Sequence, residues 1–242
     1  MSTTLDQFKT PSSYGFSATK IANLGASEYT LVTIAIDESG SVSGFWDEIK
    51  ACVSEVVRSC MKSPRADNLM IRLVKFSDNL TEVHGFKMLS ECNADDYKNI
   101  PFKGGNTALY DACENAITAS NLYGKQLYDQ EFSANGIVVV VTDGLNNNSA
   151  YGVNEVKQAL KKAVVGENLE SMVSILVGVN VSDSMVADGL DKFHKDAEFT
   201  QFVVIQEATK NKLAKLAQFV SKSISAQSQA LGTNGPSKSL TF

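Results

Sequence analysis

Long apolar runs are missing from this chain. No stretch approaches the roughly 18 consecutive apolar residues of a membrane span, and the opening MSTTLDQFKTPSSYGFSATKIANLG carries no apolar signal-peptide core. A cytoplasmic location is the expectation that follows. Histidine is scarce. His84 and His194 stand far apart with no recognisable Ser or Cys nucleophile motif beside them, so a catalytic triad has no support. Cys52, Cys60, Cys92 and Cys113 show no CxxC or paired Cys/His spacing, and three of them fall on apolar helix faces, which points to reduced structural thiols rather than zinc or redox chemistry. Neither GxGxxG nor GxxxxGK[ST] occurs, which removes support for dinucleotide and P-loop nucleotide sites. Positive charge is not in excess either: 22 basic against 27 acidic residues leave a net charge of -5, a field that repels nucleic-acid backbones and anionic membranes. There are no internal repeats.

What is present is enough for one sizeable core: 242 residues, 43% of them hydrophobic. An arm over residues 1–28, rich in Ser, Thr, Gly and Asn, is expected to pack loosely or pair at a sheet edge, and residues 231–242 to form a flexible tail. Between them, over 29–230, strand and helix patterns alternate. YTLVTIAI (29–36) and GIVVVVTDG (136–144) read as strands buried on both faces. NLMIRLVKFS and TEVHGF, joined at Asp78-Asn79, read as an antiparallel edge hairpin. Strands over 171–179 and 199–206 follow, and helices are expected over 45–61, from Thr107, and over 152–164, 184–195 and 210–230. The pattern predicts an α/β fold: a doubly wound, mostly parallel six-stranded sheet with one antiparallel edge strand and helices on both faces.

The two most apolar strands each run into an aspartate, Asp37 and Asp143. In an open parallel sheet ligands gather outside the carboxyl ends of the central strands, where the strand order reverses. After Ile36 the side chains at every second position are Asp37, Ser39 and Ser41, which extended chain points the same way. With Asp143 and the helix start at Thr107 they would form an all-oxygen cup suited to a hard divalent cation, foremost magnesium. An ion held mostly by neutral hydroxyls keeps its charge, and so prefers an anionic oxygen at its open position, such as a Glu or Asp of another protein.

DESGS (37–41), GGNTALYDA (104–112) and VVVVTDG (138–144) resemble the three parts of the metal-ion-dependent adhesion site of von Willebrand factor type A domains, in the expected order and at the expected element ends. The resemblance spans roughly residues 28 to 228 in topology. It implies magnesium, manganese or calcium bound by Asp37, Ser39, Ser41, Thr107 and Asp143. The layout is similar to stand-alone intracellular bacterial or phage members linked with tellurite-resistance operons or AAA+ ATPases, so an AAA+ ATPase or a second copy of the chain is the implied partner. Asn106 stands where many relatives run from glycine directly into threonine, an insertion able to move the Thr107 hydroxyl. The LNNNS loop after Gly144 is expected to cover the metal or contact the partner, Glu38 to face solvent or the rim, and Asp111 to brace its loop by hydrogen bonding.

The leading reading is thus a non-enzymatic module that binds an acidic residue of a partner through a cation. Two others stand beside it. A metal-dependent phosphatase or phosphotransferase would use Asp37 as nucleophile, though such enzymes usually carry a second carboxylate where this chain has Ser39. A self-assembling subunit would fill the cation site from the next copy.

Overall fold

Tyr29 to Ile36 carry apolar or β-branched side chains toward both faces, so a strand there must be covered on both sides, and it is: each of these residues is buried. The computed structural model describes residues 5–166, 168–233, 235 and 240–242. In chain order the strands and α-helices are β1 (Asp6–Phe8), β2 (Phe16–Ala18), β3 (Glu28–Asp37), α1 (Trp46–Cys60), β4 (Leu69–Phe76), β5 (Leu80–Met88), α2 (Leu109–Tyr128), β6 (Ser133–Thr142), α3 (Val153–Val165), β7 (Met172–Val179), α4 (Ser184–Ala197), β8 (Gln201–Ile205) and α5 (Lys210–Gly232). One sheet contains all the strands, in the order β1-β2-β5-β4-β3-β6-β7-β8.

Strand alternation divides the core in two. Val32, Ile34 and Ile36 of β3, with Ile137, Val139 and Val141 of β6, pack under α1 and α5. Leu31 and Ala35, with Val138 and Val140, pack under α2, α3 and α4. Burying each large aliphatic side chain contributes about 1.5–3 kcal/mol, which is what holds the helices to the sheet. β3 and β6 pair in parallel, from Glu28 with Ser133 to Ile36 with Val141. From β3 the chain passes through α1 to β4 on one side, while β6 lies on the other, so the loops leaving β3 and β6 diverge at the point where the sheet reverses its order.

The sheet has eight strands among the described residues, not six, and the antiparallel strand β5 is not its edge. β5 pairs antiparallel with β4 as the hairpin pattern predicts, but β2 adds to its far side in parallel, and β1 pairs antiparallel with β2 beyond that. Three residues are too few to show a period, so β1 and β2 left no pattern to read. Their attachment is chemical. Arg72 of β4, 1% exposed, donates from Nε to Glu82 Oε2 (2.7 Å) and from Nη2 to Asn115 Oδ1 (2.9 Å). Glu82 Oε1 in turn accepts from Ser17 N (2.9 Å) and Ser17 Oγ (2.6 Å), and Asn115 Nδ2 donates to Tyr14 O (3.1 Å). Gly85 is where β2 crosses close: a Cβ there would lie 1.9 Å from Ser17 O. At the other end of the chain, Leu240 O accepts from Gln201 Nε2 (2.6 Å) and the Phe242 ring meets Phe219 of α5 edge-on at 5.4 Å. The remainder of the expected tail, residues 234 and 236–239, lies outside the described residues.

The four cysteines are free thiols, and burial pushes the pKa of each of them up, as inert core thiols require. His84 sits between Tyr97 Oη (2.8 Å from Nε2) and Gly85 O (2.9 Å from Nδ1), a structural position on β5. Among the described residues no helix is long and apolar enough to cross a membrane.

Candidate metal centre

Asp37 is the last residue of β3 and is fully buried. Both of its carboxylate oxygens are engaged: Oδ1 accepts from Ser39 N (2.7 Å) and Oδ2 from Thr142 Oγ1 (2.6 Å). Ser39 Oγ meets Ser41 Oγ at 3.1 Å, and Ser41 Oγ donates to Asp143 Oδ1 (2.6 Å). Four of the five residues singled out from the sequence therefore form one continuous chain, from the buried Asp37 to the exposed Ser41 and half-buried Asp143.

Thr107 arrives differently. Its hydroxyl bonds to none of the other four, but its loop is tied to both neighbours. Gly104 N donates to Glu38 O and Gly40 N to Gly105 O, each at 3.0 Å. From the loop after β6, Asn147 Oδ1 accepts from Thr107 N (2.7 Å), while Asn147 N donates to Thr107 O (3.1 Å). The extra residue Asn106 is absorbed by the β4–β5 turn, because its N (3.1 Å) and Nδ2 (2.7 Å) both donate to Asp78 Oδ1.

Four side chains have roles the sequence did not disclose. Thr142 holds Asp37, and its only signal was being the one hydroxyl in an all-valine strand end. Glu38, expected at the solvent-facing rim, is 2% exposed and paired with Lys75 (2.9 Å). Alternation turns it away from Asp37 and Ser39, toward β4. The asparagine loop is committed to bracing: Ser149 Oγ accepts from Tyr110 N (3.0 Å) and Asp111 N (3.2 Å), and Asn148 Nδ2 donates to Asp78 O (3.1 Å). The two Ser149 bonds satisfy N–H groups at the start of α2, which otherwise lack partners. Asp111 is a brace too, accepting from Ala150 N (3.1 Å) and Tyr151 N (2.8 Å).

The electrostatics of the cup are unbalanced. Among the described residues neither Asp37 nor Asp143 belongs to an ion pair. Burial raises the Asp37 pKa from 3.8 to about 6, against the lowering effect of its hydrogen bonds with Ser39 and Thr142, and the nearby Asp143 charge raises it further. Asp143 is raised as well, chiefly by burial. Two carboxylates without an ion-pair partner, linked through serine hydroxyls and free of nitrogen or sulfur ligands, fit a hard divalent cation. No group of three or more His, Cys, Asp or Glu side chains able to hold a metal occurs among the described residues, so a cation here would rest on two carboxylates and hydroxyls. A cleft of about 380 Å³ runs beside the cup between Asp78, Asn79 and Lys103–Gly105. A larger cavity of about 510 Å³, at the carboxyl end of α3, contains no comparable oxygen cluster.

Gly105 has φ +123°, and a Cβ on it would lie 2.4 Å from Asp78 Oδ2. Gly105→Ala is therefore expected to cost about 1–3 kcal/mol of stability and to displace the Thr107 loop. Thermal unfolding together with manganese titration would show both effects; unchanged manganese affinity would mean that this loop does not serve the site.

A mostly parallel α/β sheet with an oxygen-lined cup at its switch point narrows the class of protein. The family is then explicit: the von Willebrand factor type A domain model matches residues 32–222, and the chain belongs to that family. Solved structures agree in fold. The PilB minor pilin from Streptococcus sanguinis is similar with a TM-score of 0.62 at 14% identity, over 87% of this chain and 64% of that one. The pilus adhesin SpaC from Lactobacillus rhamnosus GG gives 0.59 at 9% identity, over 82% of this chain and 31% of that one. Proximal thread matrix protein 1 from the mussel byssus, in a form with a zinc-occupied MIDAS motif, gives 0.56 at 20% identity, over 81% of this chain and 46% of that one. This chain spans less than two thirds of each of those proteins. No curated protein matches it in sequence.

Proposed function

We propose that Asp37, Ser39, Ser41, Thr107 and Asp143 hold a divalent cation, magnesium foremost with manganese or calcium as substitutes, and that the cation captures a Glu or Asp side chain of a partner protein. The observation that carries this reading is the hydrogen-bonded chain from Asp37 to Asp143, which gathers two unpaired carboxylates and two serine hydroxyls at one sheet edge. When bound, the cation would supply Lewis acidity toward an anionic oxygen of the partner. Asp37 orients Ser39 through the Ser39 N–H, Thr142 keeps Asp37 in place, and Asn147 holds the Thr107 backbone. The cleft by Asp78 and Lys103 offers room for partner residues next to the acidic one. Ser39 stands where a phosphotransferase would carry its second carboxylate, which favours binding over phosphoryl transfer. Four free thiols suit a reducing compartment, and the reading keeps the chain in the cytoplasm.

Affinity capture with magnesium, with EDTA, and with Ser39→Ala or Asp143→Ala tests the proposal. Partners are expected to be retained in magnesium and lost in the other three conditions. Capture indifferent to chelator and to both substitutions would refute it.

A further inference from the structure

Glu38 interrupts the alternation of Asp37, Ser39 and Ser41, and its carboxylate pairs with the Lys75 ammonium on β4. The two residues are 2% and 4% exposed. Taking two such charges out of water costs several kcal/mol per ion, and apolar replacement of buried pairs is often neutral for stability, so stability alone gives little reason for the pair. What the pair holds is chain. Glu38 Oε2 accepts from Lys75 Nζ (2.9 Å) and from Lys103 N (3.1 Å), and Lys75 Nζ also donates to Pro101 O. Together with the backbone bonds from Gly104 N to Glu38 O and from Gly40 N to Gly105 O, this stitches residues 38–40 to residues 101–105. The chain then reaches Thr107 through Gly104 and Gly105, both at positive φ, a permissive segment that would not keep a fixed course unaided.

We infer that Glu38 is a positioning residue whose charge Lys75 balances: the bond it accepts from Lys103 N–H fixes where the Thr107 hydroxyl sits relative to Asp37, Ser39 and Ser41, and so sets cation affinity without touching the cation. The inference rests on the cation site proposed above. It separates Thr107 from Ser41, whose place is held by Ser39 and Asp143 instead.

Manganese titration calorimetry and thermal unfolding test it in two charge-free backgrounds. Glu38→Leu with Lys75→Met removes the acceptor for Lys103 N–H. Glu38→Gln with Lys75→Met keeps an acceptor. The Leu/Met protein is expected to unfold near the wild-type temperature yet bind manganese about 10-fold more weakly, the scale seen when groups orienting metal ligands are lost. Thr107→Val is expected to cost about 10-fold in the wild type but under about 2-fold in the Leu/Met background, whereas Ser41→Ala costs the same factor in both. The Gln/Met protein is expected to recover affinity to within about 3-fold of wild type, together with the full cost of Thr107→Val. Equal Thr107→Val factors in wild type and Leu/Met, or wild-type affinity in Leu/Met, overturn the inference. So does weak binding by Gln/Met, which decides the matter even if Leu/Met fails to fold. Wild-type protein that binds no manganese overturns the cation site itself, a failure distinct from the others.

Discussion

Arg72→Ala is expected to lower the unfolding free energy by about 3 kcal/mol and to release the amino-terminal arm, while leaving the cation affinity of the folded protein within about 2-fold. Arg72 is the largest fully buried side chain and the junction of three elements. Through Glu82 it reaches Ser17 of β2, through Asn115 it reaches α2 and Tyr14, and its guanidinium carbon lies 5.9 and 6.0 Å from the ring centres of Phe16 and Phe86. Truncation leaves Glu82, whose side chain is 21% exposed, without its counter-charge, and breaking such a pair on one side typically costs about 3–5 kcal/mol. The lower bound applies because Arg72 Nη1 has no partner to lose and Glu82 keeps the Ser17 donors. Urea unfolding measures the loss, and limited proteolysis within residues 9–20 reports release of the arm. A cost under about 1 kcal/mol with the arm still protected would show that β2 is held by apolar contact alone.

Magnesium at 100 times its Kd should stabilise the protein by about 2.7 kcal/mol at pH 7.5, and this gain should fall away as the pH drops through 6. The sign follows from Asp37. Its folded pKa, about 6, is above the ordinary 3.8, so the metal-free fold binds a proton more tightly than the unfolded chain does. Its contribution to metal-free stability is greatest below pH 4 and is lost as the pH rises to about 6, a penalty of about 3 kcal/mol once the carboxylate is ionised. A cation binds the ionised form and offsets that penalty, so at pH 5 it must displace a proton and its affinity should be about 10-fold weaker than at pH 7.5. Asp143, raised by burial as well, acts in the same direction. Asp37→Asn carries the complementary expectation: no magnesium response, yet metal-free stability at pH 7.5 equal to or above wild type, because the buried charge is gone while the bond from Ser39 N persists. Denaturant unfolding with magnesium and with EDTA, at pH 5 and 7.5, checks both. A magnesium gain independent of pH, or one retained by Asp37→Asn, would remove Asp37 from the cation site.

Much of this architecture was legible before any coordinates. The runs of valine and isoleucine in β3 and β6, and the helical spacing of Ile49, Val53, Val56 and Cys60 in α1, are local signals, because strand and helix geometry place neighbours within a few residues of one another. The Asp37, Ser39, Ser41 spacing is local as well, although Ser41 lies in a 3-10 turn over Gly40–Phe45 rather than in the extended chain that the alternation assumed. Arg72, Glu38 and Thr142 were not legible. A charged residue in a strand looks the same on paper whether it ends in water or in the core. Arg72 found its partners in Glu82 and Asn115, Glu38 in a lysine 37 residues away, and Thr142 in an aspartate 105 residues away. β1 and β2 were hidden for the related reason that three residues hold no period, and only the edge of β5, with Gly85 bare enough to admit Ser17, gave them a place. The sequence by itself determined the order of elements, the two-sided core and the donors offered by the cup's loops. Tertiary structure decided which donors are held in place and by what, because a hydrogen bond or ion pair between distant segments exists only once hydrophobic burial has brought their strands together.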